Sequence, residues 1–194
     1  MIASHPEAQA APEVAARHLL AWCLAVAWLG SAGGAFWFHA LRYQRPFETS
    51  PLTMFDTEAR AREAEAWYRM RLGPAAARAT VVSLQQQDCQ CTRFTAAHLA
   101  RIAARYQPAG VRFVTLDPRA GPAWITTTPA ALVFDAGGRL AYFGPYTDSG
   151  RCGTQQGHGL VEAALDALLR GRPAAAQPFY GSGCFCGRPG TGAA

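Results

Sequence analysis

Asp88-Cys89-Gln90-Cys91-Thr92 stands where two contrasting patterns meet. Before it, Ala79 to Gln86 is a β-rich run around Val81, Val82 and Leu84; after it, Thr92 to Tyr106 carries Leu99, Ile102, Ala103 and Tyr106 on one helical stripe. Downstream, Val111 to Leu116 reads as a second strand. A loop with Pro118, Gly121 and Pro122 then leads to a strand over Ala130 to Phe134. The turn Asp135-Ala136-Gly137-Gly138 joins that strand to another over Arg139 to Phe143, making a hairpin. Leu160, Val161, Ala164, Leu165, Leu168 and Leu169 mark an amphipathic helix closed by Gly171 and Pro173. Upstream, Phe55 to Leu72 reads as a helix with Asp56 or Thr57 near its start and Gly73-Pro74 at its end. Phe55, Ala59, Ala66, Trp67 and Met70 are its expected buried face. Strand, helix, strand, hairpin and helix in that order define an α/β domain over 55–171.

Outside the domain, no charged residue occurs between Arg17 and Arg42, and Leu19, Leu20, Trp22, Leu24, Val26, Trp28, Phe36, Trp37 and Phe38 fall in that interval. About 20 apolar residues cross a hydrocarbon core, so residues 18–41 are long enough to span one. Trp37, Phe38, His39 and Tyr43 suit an interfacial aromatic belt at one end. The expected organisation is a flank over 1–17, a single anchor, a linker over 42–54, the domain, and a Gly-, Pro- and Ala-rich tail over 172–194. A cleaved signal peptide is the rival, but Glu7 and Glu13 against Arg17 make a poor n-region.

The 194 residues leave room for one domain plus an appendage. All 18 basic residues are arginine, scattered rather than gathered into a stripe, which leaves no electrostatic footprint for nucleic acid despite the net charge of +5. Function must come from the six cysteines.

The pair Cys89 and Cys91 at a βα junction, with Thr128-Pro129 just before the hairpin, resembles the thioredoxin-like superfamily over roughly Ala79 to Gly171. The resemblance implies redox cysteines opening the first helix, a cis proline at Pro129 facing them, and a substrate groove shaped by Thr128 and Pro129. The block from Cys89 to His98, the run Tyr142-Phe143-Gly144-Pro145-Tyr146 and the motif Gly183-Cys184-Phe185-Cys186 are also similar to little-studied membrane-anchored bacterial thioredoxin-like proteins. This sequence departs from the superfamily pattern in having one residue between the cysteines, Asp88 before the first of them, and no acid in Val81 to Gln85.

A cysteine at a helix N-terminus faces unpaired N–H groups and the positive end of the dipole, which favour the thiolate; Cys91 is best placed for this, with Asp88 opposing. A disulfide within Cys89-Gln90-Cys91 would close an unusually small ring and be readily reduced. Cys184-Phe185-Cys186 lies in a tail where little else is expected to be buried. Two CxC pairs permit a disulfide relay, a four-thiolate metal site or a clasp tying down the tail. Cys152 makes an odd fifth thiol outside the anchor, and Cys23 within the anchor is a small apolar residue. His98, two helical turns after Cys91, is read as an edge-of-core residue, with a ligand or proton-handling role as the alternative; His158 is read as a loop residue.

The expected function is thiol-disulfide exchange with the thiols or disulfides of other proteins, at the inner membrane and facing the periplasm. Cys91 is the expected attacking thiolate, Cys89 its partner, and Cys184 with Cys186 the second redox pair. No cofactor, resident metal or nucleic acid is called for. The alternatives are a copper- or zinc-binding accessory protein and a redox-inactive adaptor.

Overall fold

A computed structural model describes residues 10–41, 44–47, 57–73, 76–148, 159–172 and 182–190. It divides into two units, Met1–Arg42 and Tyr43–Ala194. In the first, helix α1 (Ala10–Phe36) continues into a π-helical turn over Trp37–Leu41. The segment Val14–His39 has mean hydropathy 1.7, and Leu19, Trp22, Trp28 and Phe36 along it are exposed. At 1.5 Å per residue its 26 residues extend about 39 Å, beyond the roughly 30 Å of a hydrocarbon core. It is one N-terminal helix long and apolar enough to cross a membrane.

The second unit holds β1 (Gln44–Pro46), α2 (Thr57–Arg71), β2 (Ala79–Leu84), α3 (Gln90–Tyr106), β3 (Val111–Leu116), β4 (Thr127–Thr128), β5 (Ala130–Asp135), β6 (Leu140–Gly144), α4 (Leu160–Leu169), β7 (Ser182–Cys184) and β8 (Cys186–Gly187). The main sheet has the order β3-β2-β5-β6. Strand β2 runs parallel to β3 and antiparallel to β5, and β6 is antiparallel to β5. The sheet is therefore mixed, as an α/β unit that ends in a hairpin requires.

Side-chain alternation divides the core in two. Val82 and Leu84 of β2 and Ala130, Leu132 and Phe134 of β5 face Ala64, Trp67 and Tyr68 of α2. Ala79 and Val81, with Ala131 and Val133, face Ile102 and Tyr106 of α3 and Val161, Ala164 and Leu165 of α4. Strand β2 is buried at every position, its Thr80 and Ser83 included, which explains why it carries no charged residue and no regular polar alternation.

The strand and helix expectations hold to within two residues, with one correction of substance. The inward face of α2 is Ala64, Trp67 and Tyr68, while Met70 is 80% exposed. Tyr68 stacks on Phe134 with centroids 4.3 Å apart and its hydroxyl lies 3.0 Å from Thr80 Oγ1, so the aromatic ring with a polar partner takes the inner position and turns Met70 outward. Phe55 lies outside the described residues. The tail adds one short ordered block, in which β7 pairs antiparallel with β1, and β8 with β4.

Candidate functional site: a four-sulfur cluster

Helix α3 starts two residues earlier than its apolar stripe suggests, at Gln90, so that Cys89 is its N-cap residue and Cys91 lies in its first turn. The bond between Thr128 and Pro129 is cis, as the resemblance implies. Strand β4 ends at Thr128, and there the tail is laid alongside it, with Thr128 opposite Cys186 and Thr127 opposite Gly187. One strand further back, Cys184 pairs with Gln44 of β1.

Two β-pairings thus deliver the tail cysteines to the helix start, and all four sulfurs are joined. Cys89 is bonded to Cys186 with Cα atoms 6.1 Å apart, and Cys91 to Cys184 with Cα atoms 5.9 Å apart. The two CxC motifs lie antiparallel, each split between the two bridges. A disulfide within Cys89-Gln90-Cys91, and the matching one between Cys184 and Cys186, are therefore not the pairs formed. The reason lies in the ring: the cross-pairing spares each motif the small cycle that an internal bridge imposes. Cys89, Cys91 and Cys184 are buried, and Cys186 is partly exposed.

Phe185 is the residue whose role the sequence does not reveal. It is 4% exposed and packs with Phe47 at a centroid distance of 5.2 Å, in the core layer under α2. Packing therefore does explain the middle of the motif, against the expectation that little in the tail is buried. Arg188 adds a polar grip: its Nη1 donates to Pro122 O at 2.7 Å, its Nη2 lies 3.3 Å from Arg119 O, and its backbone N–H donates to Thr126 O. An apolar residue alternating with two cysteines in a Gly-rich stretch was the available signal for Phe185; nothing in the sequence marks Arg188.

Within the span Val81 to Gln85, which carries no acid, the Ser83 hydroxyl accepts a hydrogen bond from Tyr146. Burial pushes the Tyr146 phenol up to about 12, so this pair beneath the sheet stays neutral at ordinary pH. His98 is turned toward α4. Its Nε2 lies 3.3 Å from Glu162 Oε1 and its Nδ1 3.0 Å from Arg101 Nη2. Arginine has only donors, so Nδ1 accepts and the ring proton sits on Nε2, facing the carboxylate. Burial acts to raise the Glu162 carboxyl, but the adjoining His98 ring, the residue's own backbone N–H and the charge of Arg105 outweigh it and hold the group below its ordinary value. His98 thus ties α3 to α4, in keeping with the edge-of-core reading. Cys23 is exposed on α1, and Cys152 and His158 lie outside the described residues.

The second unit is a mixed α/β domain in which Cys184 and Cys186 of the tail are bonded through sulfur to the start of α3, and an apolar helix precedes it in the chain. Residues 57–188 match the family described as a domain of unknown function (DUF6436), and the chain belongs to that family. No curated protein matches it significantly. Among solved structures, an uncharacterized conserved protein from Geobacillus kaustophilus is similar at 22% identity and a TM-score of 0.48, over 63% of this chain and 82% of that one. A hypothetical protein from Sinorhizobium meliloti 1021 is similar at 18% identity and a TM-score of 0.49, over 60% of this chain and 82% of that one.

Proposed function

We propose that this protein is a membrane-anchored thiol-disulfide exchange protein with a thioredoxin-like domain, held by α1 in the inner membrane and facing the periplasm. The observation that carries the reading is the crosswise bonding of Cys89 and Cys91 to Cys186 and Cys184 beside the cis Thr128-Pro129 bond.

The two bridges are not equivalent in what they do for stability. In the chain-entropy account, closing the loop between Cys89 and Cys186, a separation of 97 residues, is worth about 4–5 kcal/mol. Once it is closed, the bridge between Cys91 and Cys184 only seals a small ring made of the two CxC tripeptides, and adds little. The second bridge is therefore nearly redundant for holding the tail, while four adjoining sulfurs allow a disulfide to migrate among them.

Exposure selects the entry point. Cys186 is the partly exposed member of the cluster, which favours the bridge to Cys89 over Cys91 as the first site of attack. A client thiolate forms a bond to Cys186 Sγ, and the bond to Cys89 breaks with its electron pair leaving on Cys89 Sγ. The start of α3 stabilises that thiolate, and a better leaving group departs faster. A second client thiolate then attacks the mixed disulfide. The client gains one disulfide, Cys89 and Cys186 become thiols, and the two protons released by the client are taken up by them. Cys91 and Cys184 provide a second two-electron store that can re-oxidise Cys89 and Cys186 by internal exchange. Thr128 and Pro129 border the position where β8 lies and shape the groove a client would enter.

The test is equilibration of the full chain in detergent with dithiol buffers of graded potential, with the bridges counted by mass spectrometry. Exchange requires reduction of Cys89–Cys186 at potentials above about −300 mV, the range in which secreted structural disulfides stay closed. Retention of both bridges below that potential would leave the clasp or the redox-inactive adaptor as the reading. The location has its own test: alkaline phosphatase fused after Ala194 should be active, and a cytoplasm-dependent reporter fluorescing there would overturn the topology.

A further inference from the structure

From the placement of the sulfurs we infer that the reduced protein holds one zinc-class divalent ion in a site made by Cys89, Cys91, Cys184 and Cys186. This goes beyond exchange, because it assigns a ligand to the state in which no bridge is present.

The geometry carries it. The sulfur atoms of Cys89, Cys91 and Cys186 all lie within 4.8 Å of one another. Cys184 is bonded to Cys91 and shares its buried cluster with Cys89, which brings the fourth sulfur beside this trio. A tetrahedral ion with zinc–sulfur bonds of about 2.3 Å needs sulfurs about 3.8 Å apart, a spacing that this cluster reaches by side-chain rotation once the bridges are open. Four thiolates and no competing oxygen ligand in the cluster select a soft or borderline ion over calcium or magnesium.

The surroundings suit the charge. Four thiolates around a divalent ion carry a net charge of −2, and the start of α3, at Cys89 to Cys91, turns the positive end of its dipole on that centre. Water is largely kept out, since Cys89 and Cys91 are each 2% exposed and Phe185 closes the tail side in the core. The tail is held by more than sulfur bonds, with β7 on β1, β8 on β4, Phe185 in the core and Arg188 on loop carbonyls, and these contacts are what would keep the four ligands gathered after reduction.

The chemistry balances with a phosphine as reductant. Two phosphines and two waters convert the two disulfides to four thiols, giving two phosphine oxides. Binding of the ion then releases the four thiol protons. The ion holds the tail where the disulfides held it, so tail docking and disulfide state become separable.

Cobalt(II) is the probe. The full chain in detergent is reduced with the phosphine, freed of it under nitrogen and titrated with Co²⁺. One equivalent should bind with thiolate-to-cobalt charge transfer and tetrahedral d–d bands, and Zn²⁺ should bleach both. Cys184→Ser and Cys186→Ser should each lower the charge-transfer intensity by about a quarter, one thiolate in four. Should either variant fail to fold, the wild type still decides: with one equivalent of Zn²⁺, these four cysteines should resist the alkylation that they undergo in the metal-free reduced chain. Binding well below one equivalent, an equal signal from the oxidised chain, or uniform alkylation in the presence of Zn²⁺ would overturn the site. None of these outcomes bears on the dithiol titration, so failure here and failure of the exchange reading are distinguishable.

Discussion

Thr128 lies directly opposite Cys186 in the antiparallel pairing of β4 with β8, which sets the cis Thr128-Pro129 bond one strand away from the sulfur bonded to Cys89. The tail strand therefore takes the place at the β4 edge that the groove reading reserves for a client. From this arrangement the first prediction is connectivity. Peptide mapping of the oxidised protein under non-reducing conditions should recover Cys89 with Cys186 and Cys91 with Cys184; recovery of peptides closed within either CxC motif would contradict the arrangement.

Phe185 anchors the cluster mechanically. Truncating a buried phenylalanine costs about 3–5 kcal/mol, so Phe185→Ala should lower the urea midpoint of the oxidised domain and hasten reduction of both bridges. An unchanged midpoint together with an unchanged reduction rate would mean that the disulfides alone hold the tail.

The hairpin turn offers a backbone test. Gly138 has φ +75°, and a Cβ there would meet the Tyr68 ring at 3.2 Å. The left-handed conformation alone costs a non-glycine residue about 1–2 kcal/mol, so Gly138→Ala should destabilise by at least that amount in chemical denaturation. A neutral substitution would show that the turn relaxes away from Tyr68 without cost.

Acid should act through Glu162. Its carboxyl sits below the ordinary value of 4.5 in the folded protein, so it binds a proton less readily folded than unfolded. The stability it adds is fully present above about pH 4.5 and is lost as pH falls through the folded value. Thermal unfolding of Glu162→Gln followed from neutral pH to pH 3 should show a shallower acid decline than the wild type. Parallel acid limbs would assign the decline to other carboxylates.

The fold was legible where local pattern and tertiary role agree. Val111–Leu116 and Leu160–Leu169 occupy the spans their pattern indicates, because Val111 and Phe113 meet the α3/α4 layer, Leu116 meets the α2 layer, and Val161, Ala164 and Leu165 give α4 its one inward face. In α2 the pattern misled, since Met70 and Tyr68 are both apolar enough to be inside and only the partners of Tyr68, namely Phe134 and Thr80, decide between them. The site was legible in its members but not in its bonding. The sequence names Cys89, Cys91, Cys184 and Cys186, yet which sulfur meets which depends on pairings between β1 and β7 and between β4 and β8. Those strands are two or three residues long and too short to leave a periodic trace. Arg188 falls in the same category, as its partners are carbonyl oxygens of a distant loop.

The bond from Cys89 to Cys186 also imposes a timetable on biogenesis. Synthesis runs at about 5–20 residues per second, so the 97 residues between them take on the order of 5–20 s to make. In the proposed periplasmic orientation, Cys89 and Cys91 emerge with Cys184 and Cys186 not yet made, and the first bridges open to them are the internal one and, once it follows, one to Cys152. In that orientation the newborn domain either stays reduced until β7 and β8 arrive or passes through a provisional disulfide that is reshuffled once Cys184 and Cys186 are in place.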